Sequence, residues 1–114
     1  MACVFCQIVE RRQVADIVHE DDDLIVFKDI NPKATVHVLI VPKEHIATVN
    51  DLEEHHTALM GKLFLTAKYL AAQWSIAAPG YRLTVHVGRG GGQIIDHMHL
   101  HLLSGWSPRL DGLT

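Results

Sequence analysis

The run His97-Met98-His99-Leu100-His101-Leu102-Leu103 sets three histidines in strict alternation with apolar residues. In a strand, successive side chains point to opposite faces, so the three imidazoles share one face at spacings of about 6.6 Å. Met98, Leu100 and Leu102 take the other face and read as core. Imidazole is costly to bury without partners. What a row of imidazoles offers is a nucleophile or base near neutral pH, proton donors, or metal ligands. Just upstream, Gly88-Arg89-Gly90-Gly91-Gly92-Gln93 is a loop whose bare backbone can approach an anion. Together they suggest chemistry on a phosphate.

Other elements must position this row. With 114 residues, 48% of them hydrophobic, the chain reads as one domain, 1–114, large enough for a real core. A net charge of −3 argues against non-specific nucleic-acid binding, which needs a basic surface. No apolar stretch approaches a membrane span, and Met1-Ala2-Cys3 lacks the start of a signal peptide. The expected location is the cytoplasm, with both cysteines reduced.

The pattern predicts a short helix over Val4 to Glu10 and strands over Ile17 to Glu20, Leu24 to Lys28 and Val36 to Val41. Asp21-Asp22-Asp23 reads as a solvated turn. Asn50 or Asp51 can cap one long helix, with Glu53 and Glu54 in its first turn. Leu52, Leu59, Leu63, Ala67, Leu70 and Trp74 form its apolar stripe, with Phe64 and Tyr69 partly off it. His55 and His56 are expected on its polar surface, and His19 is given a surface role too. Tyr81 to Val87 and Asp96 to Leu103 complete the set as strands. The sum is α+β: an antiparallel sheet of about five strands with one long helix and a short N-terminal helix.

The stretch Gly91 to Leu103 resembles the signature of the histidine-triad family, and Phe27 to Ile46 resembles that family's other strong block, in the same order. Gly80-Tyr81-Arg82-Leu83 and the short chain resemble its nucleotide-binding phosphoramidase branch. The resemblance implies that His99 is a nucleophile attacking the α-phosphorus of a purine nucleoside phosphoramidate. A nucleotidyl-histidine intermediate would form, and water would release the monophosphate. His101, His37 and the backbone of Gly91, Gly92 and Gln93 would hold phosphate oxygens. Asp29 would accept from the ribose hydroxyls, and Val4, Phe5, Ile8, Phe27 and Ile30 would enclose the purine. The branch also implies a homodimer.

Cys3-Val4-Phe5-Cys6 by itself could be a redox pair, a metal half-site or two incidental thiols. Relatives carry such a pair with two histidines as a zinc site, and those histidines match His45 and His97 here. Cys3, Cys6, His45 and His97 then make a closed, structural zinc set.

The chain departs from the branch at His86, where relatives usually carry Asn, and at Ile94, where Ser is frequent. Ser104-Gly105-Trp106 replaces the usual Gly-Gly-Arg. His86 is expected beside the phosphate. A close alternative within the family is a dinucleoside polyphosphate hydrolase, and the departures at His86 and Ile94 keep open a nucleotide-binding regulatory module with vestigial catalysis. A third is a zinc-stabilised interaction protein with no nucleotide role.

Overall fold

The computed structural model describes residues 3–105. Five strands form one antiparallel sheet in the order β1-β2-β3-β5-β4: β1 (Ile17–Glu20), β2 (Leu24–Lys28), β3 (Val36–Pro42), β5 (Leu100–Ser104) and β4 (Arg82–Thr84). A six-residue helix, α1 (Val4–Val9), covers one face, and α2 (Thr57–Gln73) covers the other. Because both faces are covered, Leu24-Ile25-Val26-Phe27 is apolar throughout and fully buried. Alternation sorts these residues. Leu24, Val26, Val38, Ile40, Leu100 and Leu102 pack under α2 with Leu63, Ala67 and Leu70. Ile25, Phe27, Leu39 and Val41 face α1, where they meet Phe5 and Ile8. On β3 the even-numbered residues serve the larger core, so His37 falls on the α1 face beside Leu39.

The predicted elements hold, with three differences. The long helix does not begin at Asn50 or Asp51. Thr48 and Asp51 instead close a capping box on a 3-10 turn, Val49–Asp51. Leu52 and Glu53 then run extended, with Leu52 packed against the core, and a second 3-10 turn, Glu54–His56, precedes Thr57. His56 is no surface residue. It is buried, its Nδ1 accepting from the Glu53 amide at 2.9 Å and its Nε2 donating to Glu44 at 2.9 Å.

The last two strands are also shorter than predicted. β4 spans only Arg82–Thr84, and β5 starts at Leu100, so His97 and His99 precede the ladder. There the Met98 amide bonds the Ile46 carbonyl at 2.7 Å and the His97 amide bonds the Ile95 carbonyl at 2.9 Å. These amides are satisfied by one tight local bond and one bond to the distant segment after His45, not by a strand ladder. Trp106 and the tail after it lie outside the described residues. Among the described residues no helix is long and apolar enough to cross a membrane.

Candidate active site

His99, His101, His37 and His86 converge on the α1 face of the sheet. The His101 ring lies 4.9 Å from His99, 5.2 Å from His37 and 5.0 Å from His86, centroid to centroid. Their hydrogen bonds define their tautomers. His99 Nδ1 stands 2.8 Å from the His97 carbonyl, an acceptor only, so Nδ1 carries the proton and Nε2 keeps its lone pair. His37 Nδ1 accepts from the Lys33 amide at 3.1 Å, which puts the His37 proton on Nε2. That N–H points to His101 Nδ1 at 3.0 Å, with the Asp29 carboxylate 3.3 Å away. His101 therefore bears its proton on Nε2, a buried atom with no partner among the described residues. A buried donor left unmade costs about 1–3 kcal/mol. An incoming anionic oxygen would remove that cost.

Burial disfavours the charged form of His99, His37 and His101. Desolvation lowers His99 and His37 below the ordinary imidazole range, with Asp29 opposing it in both cases. His101 is pushed down to about 4, first by burial and then by His99, His86 and His37. A neutral imidazole with a free lone pair is the nucleophilic form.

Asp29 also accepts from the Asn31 amide at 2.8 Å, which fixes its carboxylate at the end of β2. Phe5, Ile8 and Phe27 are buried, and Phe5 sets its ring edge-on to Phe27 at 5.2 Å and to His99 at 5.1 Å. Val4 packs against this cluster, whereas Ile30 is 90% exposed. Ile94 is exposed too.

The glycine loop is held differently from the expectation. The amides of Gly91, Gly92 and Gln93 already donate to the carbonyls of Gly88, Arg89 and Gly88. Gln93 is fully buried as a clamp: its Oε1 accepts from the Gly88 amide, and its Nε2 donates to Ala47 and Ile95 carbonyls. Arg89 bridges outside it to Asp96 and the Gln93 carbonyl. What the loop needs glycine for is its backbone: Gly88 has φ +70 and Gly92 φ +89, and Gly92 lies against the His86 ring. The clamp and the Glu44–His56 pair escaped the sequence reading, although opposite charges flanking a glycine run were a usable signal for Arg89 and Asp96.

A second cluster lies behind the first. His97 is fully buried and its Nε2–H donates to the Pro42 carbonyl at 2.7 Å, leaving Nδ1 free. That Nδ1 is 3.3 Å from Cys3 Sγ, 3.6 Å from Cys6 Sγ and 3.2 Å from His45 Nδ1. Cys6 Sγ lies 3.2 Å from His45 Nδ1. A tetrahedral ion with bonds of about 2.0–2.3 Å separates its ligand atoms by about 3.3–3.8 Å. The set could hold a metal ion, with the Pro42 carbonyl orienting one ligand. Without an ion, burial and the neighbouring Cys3 push the Cys6 thiol up to about 11. A cation reverses that tendency.

Two other groups bring ligand-type atoms together, Asp29–His37–His101 and Glu44–His55–His56. In each, a backbone amide points at a histidine Nδ1, so the opposite nitrogen carries a proton and cannot ligate.

Residues 2–110 match the family model described as scavenger mRNA decapping enzyme C-term binding. The chain is 42% identical over 102 residues to the purine nucleoside phosphoramidase of Escherichia coli, covering 90% of this chain and 86% of that one. It superposes with a TM-score of 0.91 on a HIT family hydrolase from Legionella pneumophila, at 42% identity over 95% of this chain and 96% of that one. A zinc-bound histidine triad family protein from Mycobacterium smegmatis gives a TM-score of 0.81 at 28% identity, covering 100% of this chain and 81% of its own.

Proposed function

This chain belongs to the histidine-triad family, and from that premise we propose that it hydrolyses purine nucleoside phosphoramidates. The observation that carries this reading is the paired polarity of His99 and His101. One offers a lone pair at Nε2, the other an N–H with no partner among the described residues. His99 Nε2 attacks the α-phosphorus, the P–N bond breaks, and the amine departs with a proton taken from solvent, while the neutral His101 Nε2–H, held in that tautomer by His37, donates to a phosphate oxygen. The resulting nucleotidyl-histidine is attacked by water at phosphorus, which returns the imidazole and releases the nucleoside monophosphate.

Asp29 accepts from the ribose hydroxyls; Phe5, Ile8, Phe27 and Ile30 flank the purine; His86, Gly92 and Gln93 border the phosphate, with Gln93 acting through the loop it holds. Cys3, Cys6, His45 and His97 bind a structural zinc ion, a reading supported by the ligand spacing and by the zinc-bound relative. The protein works as a cytoplasmic, single-domain homodimer through the exposed Phe64, Leu65 and Tyr69 side of α2.

Adenosine phosphoramidate and diadenosine polyphosphate, each incubated with parent protein and with His99→Ala, test the reading through AMP release. The expected result is release from the phosphoramidate alone, reduced by about 10³-fold or more in His99→Ala. Release only from the dinucleotide, or undiminished turnover in the variant, overturns it.

A further inference from the structure

Residue 97 stands in both clusters at once. Its ring faces Cys3, Cys6 and His45, while its carbonyl accepts the Nδ1–H of His99 at 2.8 Å. A second route runs in parallel. Cys3 and Cys6 flank Phe5 on α1, and the Phe5 ring sits edge-on to His97 at 5.8 Å and to His99 at 5.1 Å. A third runs through the segment after His45. The Ile46 carbonyl takes the Met98 amide at 2.7 Å, and the Ala47 carbonyl takes Gln93 Nε2 at 2.7 Å.

We propose that the Cys3–Cys6–His45–His97 cluster is a positioning device for the nucleophile. The bound ion holds the His97 carbonyl and the Phe5 ring, and these keep His99 in the Nδ1–H tautomer with Nε2 free. The inference rests on His99 as nucleophile and adds a catalytic purpose to a site otherwise read as structural.

Physical reasoning supports the coupling. A six-residue helix is not stable alone. Without the ion, α1 is attached through the apolar contacts of Val4, Phe5, Ile8 and Val9 with the cluster of Ile25, Phe27, Leu39 and Val41. The ring of His97 would then be held by the Pro42 carbonyl and by its contacts with Cys3, Cys6, His45 and Phe5, none of which fixes it as coordination does. A carbonyl shift of about 1 Å weakens a 2.8 Å bond and frees His99 to take either tautomer. In the other tautomer the lone pair lies on Nδ1, facing the protein, and the nucleophile is lost.

The test uses the parent protein, the parent stripped with 1,10-phenanthroline and then refilled with zinc chloride, and the Cys6→Ser and His45→Ala variants. His45 is exposed, so its truncation keeps the fold if Cys6→Ser does not. Nitrogen-15 NMR of the His99 ring should show one protonated and one bare nitrogen in the metal-loaded protein. On stripping, the two signals should move toward an averaged pair, and zinc should restore them. Against adenosine phosphoramidate, kcat should fall about tenfold or more on ion loss while KM stays within about twofold. An unchanged ring pattern in folded, ion-free protein overturns the coupling, as does a parent that takes up no zinc. If the parent hydrolyses nothing, the catalytic reading fails and the ring pattern alone decides the coupling.

Discussion

His37 Nε2 lies 3.0 Å from His101 Nδ1, and the proton between them belongs to His37 because the Lys33 amide occupies its other nitrogen. A main-chain N–H at the end of one loop thereby dictates which nitrogen of a second histidine can donate to a ligand. The chain of bonds is directional, and each member can be tested.

Replacing His37 by Leu keeps an apolar side chain of similar bulk on the α1 face but removes the donor to His101. His101 can then adopt either tautomer. We expect kcat on adenosine phosphoramidate to drop about 10- to 100-fold, with a smaller change in KM. A KM effect alone would place His37 in ground-state binding.

Stability should fall in acid through His101. Its pKa is lowered from 6.5 to about 4 in the folded protein, so between those values the unfolded chain binds a proton that the native chain does not. Unfolding then gains protons as pH falls, and stability is lost across that window. His37 is shifted in the same direction and steepens the decline. Urea midpoints measured from pH 7 to pH 4 should decrease. In His101→Asn the decrease should be shallower.

His86→Asn should retain activity and move the acid limb of the pH–rate profile upward. His101 is faced by His99, His86, His37 and Asp29, and His86 is one of the neighbours that depress its pKa. Without that neighbour His101 protonates at higher pH, and protonation of its Nδ1 breaks the bond from His37. Profiles of kcat/KM for parent and variant decide it. An unmoved limb would make His86 a bystander.

Gln93→Leu should destabilise the fold by about 3 kcal/mol, because the Gly88 amide and the Ala47 and Ile95 carbonyls lose their buried partner together. Thermal or urea unfolding reads this directly. A loss below about 1 kcal/mol would mean that water replaces the amide without difficulty.

The central strands were legible as short apolar runs bounded by turn residues, and Leu24 to Lys28 matches its strand residue for residue. The histidine row was legible only in part, since His97 and His99 precede the strand that carries His101. The helix start was not legible. Leu52 is apolar at a helical spacing, but it reaches the core from an extended segment between two 3-10 turns. His56 looked exposed because nothing in its own helix explains its burial; its partner, Glu44, is twelve residues away. The role of Gln93 was hidden for the same reason, since its acceptor at Ala47 lies across the fold. The metal set was visible only through family likeness, because its ligands come from three separated segments.

Strand β3 works as a ruler. His37 near one end feeds the proton chain, and the Pro42 carbonyl at the other end orients His97. Their separation is set by pleated backbone that pairs in unbroken register with both neighbours. One residue inserted between them would turn His37 to the α2 side while leaving Pro42 in place. Chain length can therefore drift in the loops around the sheet, but a change in the interval from His37 to Pro42 shifts the two clusters that β3 keeps in step unless a bulge absorbs it.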